Sequence, residues 1–489
     1  MKKVITSGTA LLCCALLTAC SAGQEKLKAD TPAEYTFEEV SVHDPSVVEG
    51  EDGAWYIFGS HLAVAKTEDL MNWTYVNQGV KNDNEVIPDV YSAMKDAFEW
   101  SHSNTFWAPD VAKLNDGKYH LYYCNCQGDE PVSCLGTAVS DRVAGPYVNE
   151  GLMLKSGMPA SEDDEDGNLY QATVDPNTVD PAVFYDAEGR LWMVYGSYSG
   201  GIFIKEMDPQ TGLPLESGYG EKLLGGNHLR IEAPYIIYNE ETGYYYMFLS
   251  FGGLDSDGGY NVRVCRSENP DGPYVDSMGQ EMTDCKGAAG SYFSDATAEL
   301  YGTKLMGGYK FTWKEGEEGE DRIGYLSPGH NSCLYQEESG KYFIIYHTRF
   351  ESSGEEHQVR VHQMFFNEDG WPVIAPYRYT EESLAPVAEA DVTGTYKYIN
   401  HGRDISAELK ESEEIVLEKN GDVTGAAEGT WSLSGENSIT LTIDGDSYQG
   451  VFLKQWDEDG KKYVMTFTAL CSETGTAVWG SGLNALSEE

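Results

Sequence analysis

The chain has 489 residues, with 80 acidic side chains against 33 Lys and Arg, and a formal charge of −47. That field repels DNA, RNA and anionic surfaces, which excludes nucleic-acid binding and disfavours a bare polyuronate. The favoured ligand is neutral or cationic, or a metal ion, although much of the charge serves solubility alone.

Met1-Lys2-Lys3, an apolar run from Ala10 to Leu17 and then Leu17-Thr18-Ala19-Cys20 have the layout of an export signal that ends in a lipidation box. The expectation is a lipoprotein signal peptide over 1–20 and a chain anchored at the cell surface by lipid on Cys20, its sole membrane attachment. An ordinary secretory signal is the alternative, and both readings export the protein. The polar stretch 21–34 reads as a tether. The length that follows exceeds what one core supports, so two domains are expected: a catalytic one over 35–384 and a C-terminal one over 385–489. Once Cys13, Cys14 and Cys20 are set aside, seven of the ten cysteines remain, without zinc-type spacing, and read mostly as small buried residues.

From here the signals are of the strand type, and one pattern recurs five times: a polar lead residue, a few apolar residues, a turn glycine, then an aromatic strand. The copies start at His43, Trp107, Val179, Glu232 and Gly329, and each lead residue precedes its turn glycine by seven to eleven positions. Each copy is therefore a hairpin, and five hairpins at these intervals suit the four-stranded blades of a five-bladed β-propeller. On the innermost strands, Asp44, Asp110, Asp180, Glu232 and His330 would converge on the axis. Several carboxylates around one axis are electrostatically costly, which argues for a site; the plain alternative is that each acid caps its own turn. The Ser161–Asp166 stretch, with five acids in six residues, reads as a solvated loop insertion, and Asp255–Gly258 as a turn. After about Pro386, Thr395–Tyr398, Glu414–Leu417, Thr430–Leu433, Ser438–Ile443 and Tyr463–Phe467 alternate apolar with polar residues, as in a small antiparallel barrel or sandwich that could pack on the propeller or hold polysaccharide. The fold class is all-β throughout.

Inverting hydrolysis of a glycosidic bond needs a carboxylate base and a carboxylic acid about 6.5 to 9.5 Å apart, a span that residues on different blades can meet. Glu232, flanked by Ile231, Ala233 and Pro234, is the best placed acid. Val42-His43-Asp44-Pro45-Ser46, Trp107-Ala108-Pro109-Asp110-Val111, Val179-Asp180-Pro181-Ala182 and Arg230-Ile231-Glu232-Ala233-Pro234-Tyr235 resemble, in order and spacing, the signatures of glycoside hydrolase family 43. Gly196–Gly201, Gly329–Ser332 and Arg360–Val373 resemble, within it, extracellular endo-α-1,5-L-arabinanases.

The resemblance implies Asp44 as general base, Glu232 as general acid and Asp180 as orienter and pKa modulator of Glu232, with inversion of configuration. It further implies that Asn177, Ser197, Tyr198 and Trp107 contact the sugar, although Trp107 and Tyr198 read equally well as core aromatics. By the same resemblance, His330 helps hold a hydrated calcium ion beneath the carboxylates, with His347 a weaker neighbour; alone, His330 would read as a core histidine. The implied substrate is a neutral plant polysaccharide, arabinan or its oligosaccharides, cut internally. An exo-acting arabinofuranosidase or β-xylosidase and a non-catalytic glycan-binding propeller are the alternatives. Cys124-Asn125-Cys126 and the acidic loop depart from the family's pattern and put subsite shape in doubt.

Overall fold

Alternation along single strands sets the architecture. In the strand Tyr119–Cys126, Tyr119, Leu121 and Tyr123 enter one core while Tyr122, Cys124 and Cys126 enter another. Successive strand residues point to opposite faces, so a strand apolar on both phases must lie between two packed layers. Leu191–Tyr195 repeats the arrangement: Leu191, Met193 and Tyr195 face one neighbour, and Trp192 and Val194 face the other.

A computed structural model describes residues 35–486 except 129, 318, 320 and 321. The expected signal, Cys20 and the 21–34 tether lie outside the described residues. Five four-stranded antiparallel blades follow in order. Their inner strands are Ser46–Glu49, Asp110–Lys113, Ala182–Tyr185, Ile231–Asn239 and Tyr325–Gln336, and each pairs with the next strand as one of the five expected hairpins. Five hydrophobic cores fill the five seams between blades. The ring closes where Val40, Val47 and Ile57 pack against Leu334, Phe343 and Ile345, and Val359 N–H donates to Val40 O at 3.0 Å.

The C-terminal part is a closed eight-stranded antiparallel barrel, running from Gly394–Asn400 to Thr476–Leu486, whose last strand pairs with both its first and its seventh. Its strands also alternate: Phe452, Phe467, Ala469 and Val478 fill the barrel, whereas Val451, Leu453, Leu470, Ala477 and Trp479 join the core between blades four and five. The barrel's last strand also continues the fourth blade, with Lys304 opposite Thr476 in a parallel pair. The expected strands of the tail are present, and Asp255–Gly258 is a turn closed by Gly258 N–H to Asp255 O.

Two expectations change. The acidic loop is not simply solvated: Asp164 is buried and accepts the N–H groups of Asp166 and Asn168, Glu165 accepts Lys155 N–H and Asp166 accepts Tyr219 N–H. Its carboxylates replace water as partners for backbone donors that would otherwise be unpaired. Asp110 does not join the other lead residues at the site, as described below. The seven cysteines from Cys124 to Cys471 are all free and buried, and among the described residues no helix is long and apolar enough to cross a membrane.

Candidate active site

The lead residues leave regular strand geometry just where the inner strands reach the axis. Asp44, Asp180 and His330 have φ of 57°, 54° and 45°, and Ala233, next to Glu232, has 56°. Residues with a Cβ pay for this conformation, and it persists where surrounding structure imposes it, often at functional sites. Register shifts at Glu232/Tyr235 and Gly329/Ser332 add bulges, which re-aim side chains. Asp44, Asp180, Glu232 and His330 consequently line one cavity of about 490 Å³, together with Trp107, Asn177, Ser197 and Tyr198. Of the residues singled out in the sequence, these eight meet there, whereas Asp110 and His347 do not line this cavity.

Asp44 is the most constrained. His330 Nδ1 lies 2.9 Å from its Oδ1, His43 Nδ1 lies 2.8 Å from its Oδ2, Ser60 Oγ donates to Oδ2, and its backbone N–H donates to His347 Nδ1 at 3.2 Å. Burial pushes its pKa up, but the charges and hydrogen bonds of His330 and His43 outweigh that and hold it well below the usual carboxylate range. Burial alone would lower the His330 pKa; Asp44, Asp180 and Glu232 instead raise it to about 9, so this imidazolium is the cation among three acids.

Glu232 is held from both sides, with Ser197 Oγ donating to Oε2 and the Tyr260 hydroxyl to Oε1, each at 2.7 Å. Asp180 accepts the N–H of Ala233 at 3.3 Å, so it grips the backbone adjoining Glu232. Burial raises the Asp180 pKa, and the charges of Glu232 and Asp44 raise it further against the opposing pull of His330. Asn177 Oδ1 accepts from Ser133 Oγ at 2.5 Å, tying this wall to the second blade. Trp107 lines the cavity and also packs on the core between the second and third blades.

Asp110 does not line this cavity. It accepts from Ser46 Oγ and from Val183 N–H, stitching the inner strands of blades one, two and three. Its Pro precedes rather than follows it, and it lacks the left-handed turn that aims Asp44 and Asp180.

The chemistry of the donors fits a hard cation. A cavity of about 20 Å³ lies against Asp44, Asp180, His330 and Asn331, and the buried Oδ1 of Asn331 has no hydrogen-bond partner. Carboxylate and amide oxygens are the ligands that calcium takes, and the volume holds about one ordered water. Among the described residues, the ligand-type atoms that lie within 4.8 Å of one another belong to His43, Asp44 and His347, so the histidine cluster extends beyond His330.

Sequence reasoning missed Tyr260, Ser60 and the role of His43. Tyr260 follows Gly258-Gly259 at a strand start, a faint signal, and Ser60 comes from a short turn after Gly59. It also missed His228, Tyr292 and Phe293 on the cavity wall.

The family pattern described as glycosyl hydrolases family 43 matches residues 37–304, and a C-terminal lipocalin-like domain pattern matches 376–480. The chain is 55% identical over 446 residues to extracellular endo-α-(1→5)-L-arabinanase 2 of Bacillus subtilis, covering 91% of this chain and 93% of the relative. It is 47% identical to the extracellular endo-α-(1→5)-L-arabinanase of Thermotoga petrophila, covering 91% and 94%. A crystal structure of a family 43 glycoside hydrolase from Bacillus licheniformis superposes with a TM-score of 0.88 at 56% identity, covering 92% of this chain and 99% of that one. With the family's pattern matching residues 37–304, which carry the first four blades, and these relatives matching both domains, the chain belongs to glycosyl hydrolase family 43.

Proposed function

We propose that this glycoside hydrolase cuts α-1,5-L-arabinofuranosidic linkages inside arabinan chains, with inversion at the anomeric carbon. The observation that carries the reading is the 55% identity, across both domains, to a protein named an extracellular endo-α-(1→5)-L-arabinanase. The site's chemistry supports it: an uncharged sugar suits a cavity with three carboxylates and one imidazolium.

Asp44, ionised through the contacts of His43 and His330, takes a proton from water as that water attacks the anomeric carbon. Glu232 delivers a proton to the glycosidic oxygen, which leaves with the other half of the chain. Ser197 and Tyr260 fix the Glu232 carboxyl, and Asp180 orients it through the Ala233 amide. Asn177, Ser197, Tyr198 and Trp107 shape the sugar site. A calcium ion would be held beside Asp44, Asp180 and Asn331 by their oxygens, with His330 joining through a ring nitrogen only on giving up its proton, and would supply fixed positive charge beneath the carboxylates. The extracellular names of the relatives support export, and the Leu17–Cys20 motif supports a lipid on Cys20.

The test is proton NMR of the first products from linear α-1,5-arabinan, beside Asp44→Asn. Inversion predicts β-anomeric product appearing before mutarotation, with the variant slowed by at least about a thousandfold. Initial α-anomer would overturn the mechanism.

A further inference from the structure

The segment between Cys285 and the short helix Asp295–Ala298 carries two large side chains out into solvent: Tyr292 is 65% exposed and Phe293 is 42% exposed. A single exposed aromatic needs no explanation. These two, however, belong to a row of four rings that line the catalytic cavity. Tyr198 meets Phe293 edge-on at 5.5 Å, Phe293 meets Tyr292 at 4.2 Å, and Tyr292 meets His228 at 4.8 Å. The row begins beside the acid, because Tyr198 follows Ser197, whose hydroxyl bonds Glu232.

The rings are held rather than draped. Phe293 has φ of 52°, and His228 and Asn227 have 58° and 52°. Phe293 N–H donates to His228 O at 3.3 Å, and Asn227 Nδ2 donates to Gly287 O at 2.8 Å. Arg230 forms a two-pronged pair with Asp295 at the end of the segment, and its guanidinium lies 5.9 Å from the Phe293 ring centre. Strained backbone kept in order by charged and amide anchors, with its two largest apolar side chains facing water, leaves those rings free to take a ligand.

We propose that Tyr292 and Phe293 form a stacking platform for an uncharged sugar of the bound chain, on the leaving-group side of the scissile bond. The side follows from the proton's path. Glu232 protonates the oxygen that departs with the leaving half, so the sugar next to Glu232 on that half meets the row at its Tyr198 end. The flat apolar face of a sugar stacks on aromatic rings, whereas a charged sugar would gain nothing here, since Arg230 is already paired with Asp295. This inference rests on the arabinanase reading and adds to it a named subsite.

The experiment compares wild type, Tyr292→Ala, the paired Tyr292→Ala/Phe293→Ala variant and Tyr292→Phe. On linear α-1,5-arabinan the paired variant is expected to raise KM about tenfold with kcat within about twofold, while Tyr292→Phe keeps the wild-type KM. With arabinopentaose isotope-labelled at its reducing end, the labelled products shorten, because fewer sugars are held on the leaving-group side. Tyr292→Ala removes mainly solvent-facing area, so it tests the platform even if the paired variant folds poorly. A wild-type KM in both alanine variants overturns the platform and leaves the arabinanase reading standing. So does a fall in kcat at constant KM, which would mean that the segment acts on Glu232 instead. Labelled products that lengthen overturn the placement. No cleavage of arabinan by wild type overturns the parent reading and this inference with it.

Discussion

At the scale of single residues, the site is a set of acids each held by different partners. Asp44 has two imidazoles and a hydroxyl on its oxygens, and Glu232 has two hydroxyls. Tyr260 is fully buried, and its ring packs against Gly329, where a Cβ would come within 2.3 Å of it. Tyr260→Phe removes one hydrogen bond to Glu232 while preserving the packing, and Gly329→Ala displaces the same ring. Both are expected to lower kcat on arabinan by about tenfold or more, with KM within about twofold and a displaced pH optimum. A wild-type pH profile in both would remove Tyr260 from the machinery. The three carboxylates and His330 were legible because each leads a recurring hairpin with a turn glycine downstream; Tyr260 and Ser60 come from neighbouring strands and turns, with no more than adjacent glycines to mark them.

At the scale of elements, the five hairpins and the strand-rich tail were legible because aromatic alternation and turn glycines recur. What could not be read was which lead acids point into the site, since that depends on left-handed turns and bulges at the strand starts. Asp110 illustrates the point: the same motif class gives a structural acid that joins three inner strands. Burial, only partly offset by hydrogen bonds from Ser46, Val183 and Val111, raises its pKa to about 6. The folded state then binds a proton more tightly than the unfolded one, so this contribution is fully present below the unfolded pKa of 3.8 and is lost as pH rises through about 6. Asp110→Asn keeps an oxygen acceptor and cannot ionise. Relative to this variant, wild type is expected to lose about 2 kcal/mol of stability between pH 4 and pH 7, measured by urea unfolding at each pH. A pH-independent difference would contradict the assignment.

At the scale of the molecule, propeller and barrel are one construction. Trp479, Leu470 and Val451 of the barrel lie in the core between blades four and five, and the fourth blade's sheet runs on into the barrel. The sequence shows the tail as strands but not this shared core, because the outward phase of the barrel strands is apolar for a partner distant in the chain. The whole serves one opening, where residues from all five blades line the cavity. The central claim is that this cavity cuts chains internally with Glu232 as the acid. It is tested most directly by following product sizes over time from linear α-1,5-arabinan for wild type and Glu232→Gln. A spread of oligosaccharides that appears early in wild type and is absent in the variant is the predicted result. Arabinose alone from the first time point, or equal release by the variant, would contradict it.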